Sequence, residues 1–363
     1  MRRLLFIALI CSLALSCRPT DELRALTPAE QIEYLAQGTI GLGTQQGLSI
    51  AIYEEGEWLS FHYGLTDVNR TDAPNDTTLY AIGEIGETFT ATLLADAVLS
   101  SSLSFEDSLL NRWPETVPSF DNSVIRLHDL ATHSAGLPAF PDASLDDAEP
   151  QTKANYFQAF READLYSLLA SQDLTAPPGL NYEAAPLGMV VLAHLLELRS
   201  NQSYFELLQQ NILLSNNLRH TRDLLNLPQS LADRISPAWD ITARPLPHYQ
   251  FGEYQGSQSL YSSLADMRSW AEIQLDGFHP LSDAVNLCLQ SHFVLDSERS
   301  VGYGWLRIEE PRTTYFFKEG AVHHASHLRV SPQSGQALII LSNTDHLPEV
   351  RWMADQIWAV MGR

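Results

Sequence analysis

Lysine is the residue this chain uses least. Its 363 residues contain two, Lys153 and Lys318, and 22 basic side chains face 44 acidic ones for a formal net charge of −22. A surface so poor in cations argues against nucleic acid, which is held by neutralising phosphates with Lys and Arg. It argues equally against holding an anionic membrane by charge. Cysteine is almost as scarce, at three. Cys11 and Cys17 lie near the start, so if both leave the folded body only Cys288 remains and no intrachain disulfide can form. No cysteine-protease signature surrounds Cys288, and it reads as a small buried apolar residue. Beyond the first seventeen residues, no apolar run approaches membrane length.

What is present begins with MRRLLFIALICSLALSC. Its basic start, short apolar core and small residues before a cysteine read as a secretory signal over 1–17, too short for a comfortable spanning helix. The ending Ala14-Leu15-Ser16-Cys17 resembles a bacterial lipoprotein signal, with Cys17 as the lipidated residue; cleavage of an ordinary signal near Ser16 is the alternative. Arg18 rather than Asp follows Cys17, which by resemblance to enterobacterial sorting rules favours the outer membrane. The expectation is a chain exported and lipid-anchored at a bacterial membrane, with its body in the periplasm.

The rest has enough apolar residues, 45% of the chain, to fill a core. Thr27-Pro28-Ala29-Glu30 predicts a capped helix start. From Gly47, LSIAIYEEGEWLSFHYG alternates around Glu55-Gly56 as a hairpin does. Apolar positions 85, 89, 93, 94, 97 and 98 predict a helix over Glu84 to Ser101. Helical patterns with long connections follow to about residue 250. Four strand-like runs then appear, VGYGWLRIEE, TTYFFKEG, HHASHLRVS and GQALIILSN, before a last helix, EVRWMADQIWAVMG. Strands at both ends around a helical middle predict an α/β (α+β) fold with an antiparallel sheet flanked by helices. The sheet domain is expected over 18–95 plus 251–363, and a helical domain over 96–250.

Several landmarks then stand in order: Gly47-Leu48-Ser49-Ile50-Ala51-Ile52, Ile82-Gly83 through Thr88-Phe89-Thr90-Ala91, and Leu127-His128-Asp129-Leu130-Ala131-Thr132-His133-Ser134-Ala135-Gly136-Leu137-Pro138. Pro178-Gly179, Gly302-Tyr303-Gly304-Trp305 and Leu341-Ser342-Asn343 follow. On these, over about residues 40–345, the chain resembles the serine β-lactamase and D-alanyl-D-alanine carboxypeptidase superfamily, its class C and esterase-like branch in particular. The resemblance implies a β-lactamase/transpeptidase-like fold. It also implies a Ser-x-x-Lys motif whose serine attacks an acyl carbon while the lysine takes its proton.

Those tools are missing. Gap-free alignment places Glu84 at the serine and Glu87 at the lysine. The family's Tyr-x-Asn falls on Ala184 and Pro186, and Tyr182 matches the aromatic preceding that motif. Lys-Thr-Gly corresponds to Lys318-Glu319-Gly320, although counting back from Pro332 gives Phe317 instead of Lys318. Loss of a serine nucleophile costs about 10⁶ in turnover, roughly 8 kcal/mol of barrier. Two carboxylates also oppose the negative charge that develops in acyl transfer.

Other readings of the same residues are weaker. Acids three apart in a first helical turn are favoured by the macrodipole, and a carboxylate pair can also share acid and base roles. Glutamate with His323, His324 and His327 has the donors of a mixed O/N metal site. Strand alternation, however, puts His323 and His327 on one face and His324 on the other, and there is no H-E-x-x-H spacing. No metal or cofactor is assigned. His133 reads as part of a structural turn. The family catalytic positions are therefore Glu84, Glu87, Ala184, Pro186 and Lys318, with Tyr182, Glu319, Gly320 and His323 as pocket candidates. The expectation is a catalytically inactive relative that acts by binding a small molecule, a peptidoglycan-like ligand or a protein partner. The alternative is an active hydrolase, esterase- or peptidase-like or carboxylate- or metal-dependent, that uses other residues.

Overall fold

The computed structural model describes residues 26–361 apart from 69–70, 140–144 and 146, so residues 1–17, where a signal was expected, and Cys17 itself lie outside the described residues. Helix α1 (Pro28–Leu42) starts as its sequence predicts. Thr27 and Glu30 form a reciprocal capping box, and Pro28 occupies the first turn, where its missing N–H costs nothing. Strands β1 (Gly47–Glu54) and β2 (Glu57–Gly64) form the hairpin. Its two turn residues, Glu55 and Gly56, both have positive φ, as a tight two-residue turn requires.

The chain then makes β3 (Leu79–Ala81), a 3₁₀ turn over Gly83–Ile85 and the central helix α2 (Gly86–Leu99). The middle of the chain carries α3 (Leu127–Ala131), α4 (Pro150–Ala159), α5 (Glu162–Ala170), α6 (Pro186–Ser200), α7 (Tyr204–Leu208) and α8 (Gln229–Ala232). Short strands interrupt the expected helical segment: β4 (Arg222–Asp223), β5 (Ala238–Trp239) and β6 (Pro245–Leu246). After β7 (Leu260–Ser263) come α9 (Leu264–Leu275), α10 (Ser282–Leu289), β8 (Phe293–Val294), β9 (Arg299–Val301), β10 (Leu306–Glu310), β11 (Thr313–Ala321), β12 (Ala325–Ser331), β13 (Gln336–Ser342) and α11 (Leu347–Trp358). No helix among the described residues is long and apolar enough to cross a membrane.

Eight strands make one antiparallel sheet in the order β2-β1-β13-β12-β11-β10-β9-β8. Helices α1 and α11 cover one face, where Ile50, Leu338 and Ile340 meet Leu35, Met353 and Ile357. The other face packs on α9 and joins a larger core that runs through the helical segment. Helix α2 lies inside that core, and every residue from Gly86 to Ala95 is buried. A helix buried all round presents no amphipathic stripe, and it is held here by contacts on every side. Phe89 stacks on Trp270 of α9 with centroids 4.0 Å apart, and the Trp270 indole N–H donates to Thr88 Oγ1 at 3.0 Å. Cys288 is buried beside α2, and burial pushes its thiol up to about 12.

Two glycines set the distance between the 3₁₀ turn and the sheet. A Cβ on Gly320 of β11 would meet Ile82 O at 2.5 Å, Glu84 N at 2.6 Å and the Gly83 Cα at 2.7 Å. Gly83, at φ +52, faces the Gly320 Cα in return. This bare contact brings the start of α2 against β11. Gly320→Ala is therefore expected to cost about 1–3 kcal/mol by overpacking, read as a lower midpoint in urea unfolding. The control Gly277→Ala, with nothing within 4 Å of its added Cβ, is expected to stay within about 0.5 kcal/mol of the parent. Equal midpoints for the two variants would remove the close approach from the account.

Candidate functional site

The site grows from that contact. Residues alternate across a strand, so Lys318 and Glu319 of β11 point to opposite faces. Lys318 reaches into the cleft beside α2, and its Nζ bonds Glu87 Oε2. Of the two residues offered for the third motif, Lys318 is the one that meets Glu87, whereas Phe317 lies on the other face, stacked against His327 with centroids 5.7 Å apart. Glu319 also leaves the cleft. It accepts from Arg351 of α11 at 2.7 and 2.8 Å and lies 3.5 Å from His327. Alternation alone argues against Glu319 as a pocket residue, and the structure corrects that expectation.

Glu87 is 1% exposed and every carboxylate oxygen has a partner. Oε2 takes Lys318 and the His133 Nε2 at 3.1 Å, while Oε1 accepts from Ser257 Oγ at 2.7 Å. His133, at φ +54, belongs to the turn after α3. The Ala185 N–H donates to its Nδ1 at 3.2 Å, which leaves the ring proton on Nε2, directed at Glu87. His133 is thus a polar partner of the site and not packing alone. Burial raises the Glu87 carboxyl, but the Lys318 ammonium and His133 outweigh it and hold the group at about 2. Burial disfavours the Lys318 charge, yet Glu87 and Tyr182 raise its pKa above the ordinary value.

Glu84 sits differently. Its Oε1 accepts from Gln258 Nε2 at 2.6 Å and its Oε2 from the Ala321 N–H at 3.1 Å, with a further bond from its own N–H. Burial and the Glu87 charge push its carboxyl up despite these donors. The backbone N–H groups of Glu84 and Ala321 form a two-donor cradle of the type that stabilises an oxyanion. Here the Glu84 side chain fills it. The two acids are therefore a fixed network and not a solvated first turn.

The remaining predicted positions divide. Tyr182 stands edge-on to His133 at 6.1 Å, and burial raises its phenol. Ala184 is exposed, and Pro186 opens α6 at its first position. Neither carries a group able to move a proton. His323, at φ +61, lies in the turn before β12 and not in a strand. It donates through Nδ1 to Pro247 O at 2.7 Å and packs on Tyr249 at 4.4 Å. His324 uses both nitrogens on backbone groups, Ala81 N–H and Ser236 O. Among the described residues no cluster of three potential ligands could hold a metal ion.

Two serines invite a hydrolytic reading and neither sustains it. Ser257 touches Glu87 but is 1% exposed, and a carboxylate held near 2 is a poor base. Ser49 lies 2.9 Å from His62 Nδ1, whose Nε2 is 3.0 Å from Asp76. That composition matches a Ser–His–Asp relay, but the imidazole is reversed relative to one. Ser49 is fully buried under Tyr80, and Arg268 occupies Asp76 at 3.1 Å. The chain of bonds pins β1 and β2 to the segment before β3. Ser257, Gln258 and His133 escaped sequence reasoning because each lies far from Glu84 and Glu87 in the chain and within no recognisable spacing.

The family described as Beta-lactamase matches residues 37–361. The chain belongs to that family. Its antiparallel sheet with flanking helices is consistent with the β-lactamase fold. A Beta-lactamase of Pseudomonas fluorescens is 24% identical over 265 residues, 71% of this chain and 68% of the relative. One of Escherichia coli (strain K12) is 23% identical over 270 residues, 73% and 67%. Protein flp of Staphylococcus aureus (strain MRSA252) is 21% identical over 334 residues, 88% of this chain, which spans 64% of that relative's length.

The network has a pH signature. Glu87 is depressed from 4.5 to about 2, so its contribution is complete above pH 4.5 and is lost as the pH falls from there towards 2. Glu84 is raised, so its contribution is complete below pH 4.5 and is lost as the pH climbs through its raised value. Glu87→Gln leaves Lys318 uncompensated and is expected to cost about 3–5 kcal/mol at pH 7, with a flatter loss of stability below pH 4.5. Glu84→Gln is expected to flatten the opposite limb, above pH 4.5. Urea titrations across pH 2–9 read both, and a Glu87→Gln variant as stable as the parent at pH 7 would refute the network.

Proposed function

We propose that this β-lactamase-family chain has lost acyl transfer and acts by binding, as an exported protein anchored through Cys17. One observation carries the reading. The side chains at the family's nucleophile and base positions are carboxylates, and both are consumed by internal partners: Glu87 by Lys318, His133 and Ser257, and Glu84 by Gln258 and Ala321. A carboxylate could attack an acyl carbon only by forming an anhydride, and Glu84 in the cradle also takes the donors that an acyl oxyanion needs. Membership of a hydrolase family describes the scaffold, and function is argued from the site.

The mature protein is expected neither to hydrolyse nitrocefin or p-nitrophenyl esters nor to gain mass on incubation with fluorescent penicillin. An adduct mapped by peptide mass spectrometry to any serine overturns the reading. Anchoring has its own measurement. Expressed in a Gram-negative host, the full chain is expected in the membrane fraction with a lipid on Cys17, and Cys17→Ser is expected to leave it. Equal fractionation of the two would refute the anchor without touching the chemistry of the cleft.

A further inference from the structure

The cleft that has lost its nucleophile has also changed the charge it can accept. Three observations converge. The two backbone donors that would receive an anion, on Glu84 and Ala321, are taken by the Glu84 carboxylate. The cation that would attract one, Lys318, is bound to Glu87. Among the described ion pairs none involves Glu84, whose hydrogen bonds come from the uncharged Gln258 amide and backbone N–H groups. Glu84, Gln258 and Ala321 are each only partly buried, so this group of residues extends to the protein surface.

We propose that the cleft selects a cationic ligand, a primary ammonium or guanidinium group whose charged end pairs with the Glu84 carboxylate. The inference rests on the binding reading above and names the ligand class for that site. A carboxylate has about four acceptor sites on its two oxygens, so Glu84 can take a charge-assisted bond beside those from Gln258 and Ala321. Anions meet two carboxylates and one ammonium already paired. The groups facing Glu84 are Glu87 from α2, Lys318 from β11, and Gln258 and Tyr254 from the connection before β7. Burial and the Glu87 charge raise the Glu84 carboxyl, so acid protonates it and switches the attraction off. Cation affinity accordingly strengthens as the pH rises and then levels.

A matched trio tests this: benzylamine as its ammonium form, benzyl alcohol and benzoate, titrated into the mature protein by calorimetry from pH 5 to pH 8. Benzylammonium is expected to bind best at pH 8, and benzoate not to bind. Glu84→Gln, which keeps the shape of the side chain, is expected to weaken benzylammonium by about tenfold and abolish its pH dependence. Glu84→Ala empties the cradle and is expected to gain benzoate binding. Absence of benzylammonium binding, benzoate binding as tight as benzylammonium, or an unchanged pH profile in Glu84→Gln would each overturn the proposal. These readouts are non-covalent, so their failure leaves the penicillin mass result standing, and an acyl adduct would sink the earlier reading without deciding the charge preference.

Discussion

The ion pair between Lys318 and Glu87 is the interaction on which the rest of this cleft depends. A buried ammonium and a buried carboxylate each carry a large desolvation cost, and only close pairing with further hydrogen bonds offsets it. The protein supplies both: His133 and Ser257 complete the shell around Glu87. That arrangement fixes where α2 begins relative to β11, with the glycine contact at Gly83 and Gly320 allowing the approach. Lys318 is one of only two lysines in the chain, and it is the one paired with Glu87.

The two acids, three residues apart, have been given opposite characters by their surroundings. Glu87 faces a formal positive charge and stays ionised far into acid. Glu84 faces neutral donors and a neighbouring negative charge, and its proton is held more tightly than usual. In an active enzyme such a split can mark an acid and a base. Here the low member is locked by three partners and cannot accept a proton near neutrality. The split therefore leaves Glu87 without a base role near neutrality, and the neutral side chain at Ala184 and the ring of Pro186 supply no proton relay.

Much of the scaffold was legible in the sequence for physical reasons. Thr27, Pro28 and Glu30 declare a helix start because each satisfies or avoids an orphan N–H. The alternation around Glu55-Gly56 declares a hairpin because the pleat has period two. Helix α2 was legible from its apolar spacing, although its first turn is 3₁₀ and Glu84 lies in it. The site was legible only where two residues share one element. Strand alternation would have turned Glu319 towards Arg351. Nothing local joins Glu87 to His133 or to Ser257, because these pairings are made by tertiary packing across 46 and 170 residues. His323 was misplaced for a related reason: the chain turns at that residue with positive φ, and the two-residue period ends there.

The three-way ligation of Glu87 also constrains how this protein can change. A lysine restored at position 87 would face Lys318 as a second ammonium in the same enclosed space, with Ser257 and His133 stripped of their acceptor. A serine restored at position 84 would open the cradle, yet would find no base, since its neighbour remains bound. Each single exchange leaves buried or half-buried groups without the partners they now have. A change at one of these two positions therefore has to be matched at the other and at Lys318 before the buried shell is whole again.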